Sequence, residues 1–325
     1  MEKLMIYEGK TVLVTGCSGT IGSAIVRVLL EKENVQVVGC DINESGLFEQ
    51  QLTHKGSNFQ SFYCDIRDFQ NTLNLLDGVD IVIHTAAMKH VTVSELSPSE
   101  AVYTNIVGVQ NILNAIKQTK VELFVNTSSD KAVNPTNVMG ATKLVGEKLV
   151  TAAARAQSNC KFISTRFGNV LGSRGSVIPI FKRQILNNEK LTLTDTRMTR
   201  FIMAEAEAVD LVLSSPLHCG SGDVCVTKMP AAYIKDIATA MLLNAGEDNL
   251  GFKIIGSKAG EKLYEELLTN EEMQRAENLE KYIILRPPGS KIDELRSVKQ
   301  EYNSNNVEKL SIEKVLNYLT KFDLI

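Results

Sequence analysis

Apolar positions along the chain follow two periods. Through the first half, short β-branched runs alternate with stretches whose apolar residues recur every three or four positions. Residues 11–16 (TVLVTG), 35–41 (VQVVGCD), 61–65 (SFYCD), 80–86 (DIVIHTA), 123–129 (LFVNTSS) and 162–169 (FISTRFGN) read as strands. They are apolar on both faces, as in a parallel sheet covered by helices on each side. Residues 21–32, 101–118 and 140–157 carry a helical stripe. This alternation predicts an α/β fold, a doubly wound parallel sheet of the Rossmann type. Beyond Gly172 the pattern mixes. Residues 204–217 and 233–245 read as helices, 223–228 and 252–257 as strands, and the tail from Gly260 as helical and highly charged. The expected organisation is a dinucleotide-type domain over 1–172 and a smaller C-terminal lobe over 173–325, with about 204–257 partly returning to the sheet.

Composition changes this picture little. The chain has 325 residues, 44% hydrophobic and 22% charged, with a net charge of −3, so no bulk basic surplus points to nucleic acid. No apolar run reaches the ~20 residues that span a bilayer. The N-terminal MEKLMIYEGK is a poor signal peptide. Six cysteines stand without a CxxC pair and read as reduced, buried thiols of a cytoplasmic protein. Four histidines without HxxxH spacing give no metal site.

The chemistry begins after the first strand. VTGCSGTIG places Gly16, Gly19 and Gly22 between a strand and a helix, with Ser18, Thr20 and Ile21 between them. Glycines there permit a tight turn and close approach to a pyrophosphate, and the helix start supplies unpaired N–H groups. Asp41 ends the second strand, where a carboxylate accepts from adenine-ribose hydroxyls and repels a 2′-phosphate. It therefore favours NAD over NADP; capping a loop is its other reading. Asn43 and Ser45 would accommodate a phosphate if Asp41 turned away. Asp65 and Ile66 are expected beside the adenine, and Ala86 and Ala87 along the cofactor.

The segment SSDKAVNPTNVMGATK (128–143) sets Ser129, Asp130 and Lys131 at the carboxyl edge of the next strand. It ends like the active-site helix of a short-chain dehydrogenase, in which a tyrosine precedes the lysine by four residues. Here Met139 stands four before Lys143, and a thioether transfers no proton. The residues alone leave other readings open: a solvated pair for Asp130–Lys131, an exposed helix lysine for Lys143, a packing residue for Met139.

Together with AAMKHV, RFGNVLGSRGSVIPIF, LTDTRMTRF and GEKLYEELL, these segments run in order from residue 15 to 268. The chain resembles an extended short-chain dehydrogenase/reductase, and within that superfamily the polysaccharide-biosynthesis (CapD-like) UDP-N-acetylglucosamine 4,6-dehydratases. It is similar to the members with methionine in place of tyrosine, as a short form without a membrane segment. The resemblance implies a hydro-lyase using NAD on UDP-N-acetylglucosamine, and a homo-oligomer. Oxidation at C4 acidifies C5, water leaves across C5–C6, and hydride returns to C6 to give a 6-deoxy-4-keto sugar. Retention at C5 is expected, as in most methionine-type members. The resemblance implies Asp130 as acid at the C6 hydroxyl and Lys131, neutral at that stage, as base at C5; the two roles are exchangeable, and Asp130, directly or through a water, is the first choice to accept the 4-hydroxyl proton. Lys143 would hold the nicotinamide ribose, Ser129 would bond the 4-hydroxyl, and Met139 would be a spacer. For the nucleotide and sugar it points to Lys89, Asn169, Ser176, Val177, Thr194, Arg200, and Glu261 or Glu265. A C5-inverting 4,6-dehydratase, a UDP-sugar 4-epimerase and a non-catalytic dinucleotide-binding sensor are the competing readings.

Overall fold

A computed structural model describes residues 2–257, 259–292 and 297–325. Fourteen strands and twelve α-helices are assigned among them. Strands β1 (Thr11–Thr15), β2 (Gln36–Asp41), β3 (Phe59–Tyr63), β4 (Ile81–His84), β5 (Leu123–Thr127) and β6 (Lys161–Arg166) come from the first half. Between them lie α1 (Thr20–Leu29), α2 (Glu44–Thr53), α3 (Phe69–Leu75), α4 (Val91–Leu96), α5 (Pro98–Val102), α6 (Gly108–Ile116) and α7 (Val138–Ala156).

The second half contributes β7 (Asn169–Val170), α8 (Val177–Leu186), β8 (Leu191–Leu193), β9 (Thr199–Met203), α9 (Glu205–His218), β10 (Val224–Thr227), β11 (Ala231–Tyr233), α10 (Ile234–Ala245) and β12 (Phe252–Ile254). It ends with α11 (Asn270–Met273), β13 (Ala276–Asn278), β14 (Tyr282–Leu285) and α12 (Ile312–Lys321).

Nine strands form one sheet in the order β13-β14-β10-β6-β5-β4-β1-β2-β3. All neighbours from β10 through β3 pair in parallel, while β14 runs antiparallel to β10 and β13 to β14. The strand order reverses at β1, which lies between β2 and β4. Such a switch point opens a crevice at the carboxyl ends of the strands.

Alternation along the strands separates two cores. Val12 and Val14 pack with Ile25 and Leu29 of α1 and with Val209 and Val212 of α9. Leu13, one residue over, packs on the other face with Ile112 and Leu113 of α6, Phe124 and Phe162. A third core, including Phe181, Leu193, Ile202, Ile237, Val315 and Leu319, belongs to the C-terminal lobe.

Four sequence expectations need correction. The tail from Gly260 is not continuously helical: α11 and α12 are its assigned α-helices, and β13 and β14 join the large sheet. Charge density along the tail masked these short strands. Strand β3 is the sheet edge and its residues are half-buried or exposed, so it is not apolar on both faces. Residues 101–118 do not form one regular helix, because a π-turn at Tyr103–Val107 separates α5 from α6. The run 162–169 breaks at Phe167–Gly168, and Asn169–Val170 pair with β9 instead.

Candidate active site

At the switch point the chain leaves β1 through Gly16, whose φ is +71°. A Cβ at Gly16 would lie 2.7 Å from the Ala86 nitrogen, and one at Gly22 2.2 Å from the Gly16 carbonyl oxygen. Both obstacles are backbone, so glycine is what lets this turn lie against the exit of β4 with α1 close behind. Gly19 is the N-cap of α1 and no side chain caps it. The first N–H groups of that helix therefore remain available to an anion.

The turn opens into a cavity of about 750 Å³, within the usual size of cofactor and substrate sites. Along it the structure brings together Gly16, Ser18, Gly19, Thr20, Ile21, Gly22, Asp41, Asp65, Ile66, Ala86, Ala87 and Lys143. Asp41 is held fixed: one carboxylate oxygen accepts from the Ser18 nitrogen (3.1 Å) and hydroxyl (2.5 Å), the other from the Asn43 nitrogen (3.0 Å). The Asn43 side chain caps α2 through Gly46 and is thereby engaged. Asp65 pairs with Arg67 at 2.6 Å, and that hydrogen-bonded pairing keeps its carboxyl below the ordinary range against the opposing effect of burial. This arrangement fits a dinucleotide: a glycine turn at a helix start for the pyrophosphate, and a fixed carboxylate where an adenine ribose would lie.

The far end of the cavity holds Ser128, Ser129, Lys131, Met139 and Lys143. Backbone bonds from the Ser128 nitrogen to Thr165 and from the Asp130 nitrogen to Phe167 carry the β5–β6 pairing past the strand end. A 3-10 turn at Asp130–Ala132 follows, capped by Ser129 Oγ, which accepts from the Lys131 nitrogen. Helix α7 packs closely on this turn at Gly140, where a Cβ would stand 2.1 Å from the Lys131 carbonyl oxygen. The contact sets Met139, 3% exposed, and Lys143 on the cavity wall near Lys131. Lys143 Nζ donates to the Thr127 carbonyl at 2.9 Å, and burial brings its pKa down to about 8 against the opposing charge of Glu147.

Asp130 is fully buried, and it is absent from the cavity wall. One of its oxygens accepts from Ser129 Oγ (2.9 Å) and Lys131 Nζ (2.9 Å). Lys131 Nζ also donates to Asn169 Oδ1 at 3.1 Å and lies 3.7 Å from Glu265 Oε1. Burial acts to lower the Lys131 pKa, but the charges of Asp130 and Glu265 outweigh it and raise the pKa. The expected neutral lysine is thus an ammonium in this state, because its two carboxylate partners dominate.

The residues assigned to nucleotide and sugar are more dispersed. Lys89 lines the cavity and donates to the Arg174 carbonyl at 2.9 Å. Asn169, Ser176, Val177, Thr194, Arg200, Glu261 and Glu265 do not line it. Arg200 is buried and donates to the carbonyls of Thr199, Lys262 and Leu263, so its guanidinium is committed to backbone rather than open to a phosphate. Glu265 points at Lys131 and Arg200, each at 3.7 Å, not at open space where a ribose would sit. Thr194 Oγ1 contacts Met198 Sδ at 3.4 Å. Ser176 and Val177 begin α8. Several wall residues escaped the sequence reading: Arg67, His90, Thr104, Ser128, Phe167 and Arg174. His90 and Arg174 stand inside the motifs AAMKHV and GSRGSV, so the signal was present, without anything local to mark those two positions.

The sequence model described as polysaccharide biosynthesis protein matches residues 12–287. The chain is 38% identical over 294 residues to a UDP-N-acetylglucosamine 4,6-dehydratase (inverting) of Campylobacter jejuni, covering 89% of this chain and 86% of the relative. It is 34% identical over 339 residues to a UDP-glucose 4-epimerase of Rickettsia felis, covering 98% of each. The solved structure of Pen from Bacillus thuringiensis superposes with a TM-score of 0.93 at 38% identity, covering 99% of this chain and 100% of that one. With its glycine turn, doubly wound sheet and Met139–Lys143 helix, this chain belongs to the polysaccharide biosynthesis protein family, an extended short-chain dehydrogenase/reductase family of nucleotide-sugar dehydratases and epimerases.

Proposed function

We propose that this protein is a UDP-N-acetylglucosamine 4,6-dehydratase using NAD. The observation that carries the reading is Lys131 on the cavity wall, backed by buried Asp130, with Met139 in the position of the usual catalytic tyrosine. An epimerase needs acid–base chemistry only at the 4-hydroxyl. A dehydratase also needs it at C5 and at the C6 oxygen, which a lysine paired to carboxylates supplies.

NAD, when bound, would supply a reversible hydride carrier that accepts from C4 and donates to C6. The glycine turn and α1 would hold its pyrophosphate, Asp41 its adenine ribose, and Lys143 its nicotinamide ribose. The Asp41 carboxylate disfavours a 2′-phosphate. Lys131, held as an ammonium, donates a proton to the departing C6 hydroxyl as the C5–H bond breaks. The C5–H electron pair forms the C5–C6 double bond, the C6–O bond breaks, and the freed amine accepts the C5 proton. This exchanges the acid role from Asp130 to Lys131: Asp130 lies behind the lysine and acts through it. General acid–base help of this kind contributes ~10²–10⁴-fold. Because one group on one wall removes and returns the C5 proton, the reading favours retention at C5. The Campylobacter relative is named as inverting, so the configuration must be measured directly.

Incubation with UDP-N-acetylglucosamine and NAD tests the proposal. The expected product is lighter by one water, and deuterium placed at C4 of the substrate appears in the C6 methyl group. Proton NMR of fresh product distinguishes the xylo 4-ulose of retention from the arabino product of inversion. A product of unchanged mass with altered sugar couplings would establish the 4-epimerase instead, the activity named for the Rickettsia relative.

A further inference from the structure

The dehydratase reading, on which this inference rests, leaves one proton without a holder. Oxidation of the 4-hydroxyl releases a proton, and the final protonation of C5 consumes one. Between them, the proton leaving C5 balances the proton taken by the C6 hydroxyl. The site must therefore store one proton from the first step to the last. Lys131 is already an ammonium in the resting site and has no capacity for it.

Glu265 is 3% exposed, and its Oε1 lies 3.7 Å from Lys131 Nζ and 3.7 Å from Arg200 Nε. Its Oε2 is buried without a hydrogen-bond partner among the described residues, as is Oδ2 of Asp130, whose other oxygen already accepts from Ser129 Oγ and Lys131 Nζ. A buried carboxylate oxygen without a donor is costly as a charge and better satisfied as a protonated acid. The C-terminal tail fixes this geometry across a long sequence separation. Ser304 Oγ accepts from the Glu265 nitrogen at 2.9 Å, and the Ser304 nitrogen donates to the Glu265 carbonyl at 2.8 Å. Ser304 Oγ also bonds Thr199 Oγ1 at 2.9 Å, tying the assembly to β9. Such a scaffold around a residue away from the cavity wall is unnecessary for a ribose contact and suits a group that serves Lys131.

We infer that Glu265 is a positioning residue that stores the 4-hydroxyl proton, received through Lys131. A Lys131 N–H bond breaks as an O–H bond forms on Glu265, and the amine so freed takes the 4-hydroxyl proton. The O4–H bond breaks as an N–H bond forms on Lys131, while the C4 hydride passes to the NAD of the proposed reaction. After hydride reaches C6, Lys131 gives a proton to C5 and regains one from Glu265. Charge and proton count return to their starting values. The charged groups facing Glu265 are Lys131, Asp130, Arg200 and Lys262. Burial raises the Glu265 carboxyl pKa and Asp130 adds to this, with Lys131, Arg200 and Lys262 opposing.

Infrared difference spectroscopy of the parent protein with NAD and substrate tests the inference without a variant. A protonated-carboxyl band should rise during turnover and shift when the protein carries isotope-labelled glutamate. A band that shifts only with labelled aspartate assigns the proton to Asp130 and overturns the inference. Glu265→Gln should lower kcat about 10²-fold, leave UDP affinity within about twofold, and remove the acidic limb of the kcat–pH profile; Glu265→Asp should restore part of both. Glutamine turnover within about threefold of the parent, with that limb intact, also overturns it. If the glutamine variant does not fold, the infrared result on the parent decides. A parent that yields no product lighter by one water ends the dehydratase reading and this inference together. A product with no glutamate-dependent band ends the inference alone.

Discussion

At the scale of single residues, the proposed chemistry moves the proton carrier from the position of Met139 to Lys131. Met139 is buried on the cavity wall one turn before Lys143, and its sulfur neither gives nor takes a proton at useful pH. Met139→Leu keeps volume and apolarity, a change that usually costs under ~1.5 kcal/mol. Turnover should stay within about tenfold of the parent, since ~1.4 kcal/mol on a barrier is a factor of ten. Lys131→Met removes the proton carrier and should lower turnover ~10²-fold or more, with UDP binding as the control for folding. An active Lys131→Met beside an inactive Met139→Leu would reverse the assignment. The sequence made Met139 visible through its spacing to Lys143, and Lys131 through its place beside Asp130 at the end of a strand and through the family resemblance. It did not make visible that Asp130 is fully buried behind Ser129 and Lys131 rather than on the cavity wall, because burial is set by packing across the fold and not by local spacing. The same holds for Glu265 and Arg200, whose partners lie across the tertiary fold.

At the scale of elements, the proposed function depends on how closely α7 approaches the turn at Asp130–Ala132. The N-cap Asn137 accepts from the Gly140 nitrogen at 2.8 Å, and its amide donates to the Gly260 carbonyl at 2.9 Å, so the helix start is tied to the C-terminal lobe. Gly140 then lets the helix backbone lie on the Lys131 carbonyl. Gly140→Ala would put a methyl 2.1 Å from that oxygen, and relief requires moving either the helix or the turn. A displacement on the order of 1 Å at a catalytic group can cost ~10²-fold in rate. The expected outcome is a ~10²-fold loss of kcat with UDP affinity within a few-fold, measured by steady-state kinetics and titration. Near-parent kcat would mean that the seam between helix and turn does not set the position of Lys131. Periodicity made the parallel strands and α7 legible, since their apolar patterns are long and regular. It failed for β13 and β14, each at most four residues long, where a charged tail hides the pattern. Residues 166 and 272 show what fixes that tail: Arg166, fully buried in β6, donates to Glu147, to Glu272 and to the Leu267 carbonyl.

At the scale of the whole molecule, the switch point that creates the site also places a histidine at the centre of the sheet. His84 ends β4, is 1% exposed, bonds Thr15 Oγ1 through Nδ1 at 2.7 Å and stacks on Phe124. Burial, with a smaller contribution from the Lys143 charge, lowers its pKa from 6.5 to about 3. Between those values the unfolded chain binds a proton that the folded chain excludes. Stability contributed by neutral His84 is therefore complete above about pH 6.5 and is lost as pH falls toward 3. The slope approaches at most ~1.4 kcal/mol per pH unit in that window. Carboxylates also titrate there, so the comparison must isolate the imidazole. His84→Gln keeps a polar partner for Thr15 and removes the titration. Urea unfolding of the two proteins from pH 7 to pH 4 should show the parent losing about 3 kcal/mol more than the variant over this range. Parallel curves would mean that His84 takes up its proton over the same pH range in the folded protein as in the unfolded chain. The sheet would then tolerate a charge at its centre, and Thr15 would have to serve as its acceptor.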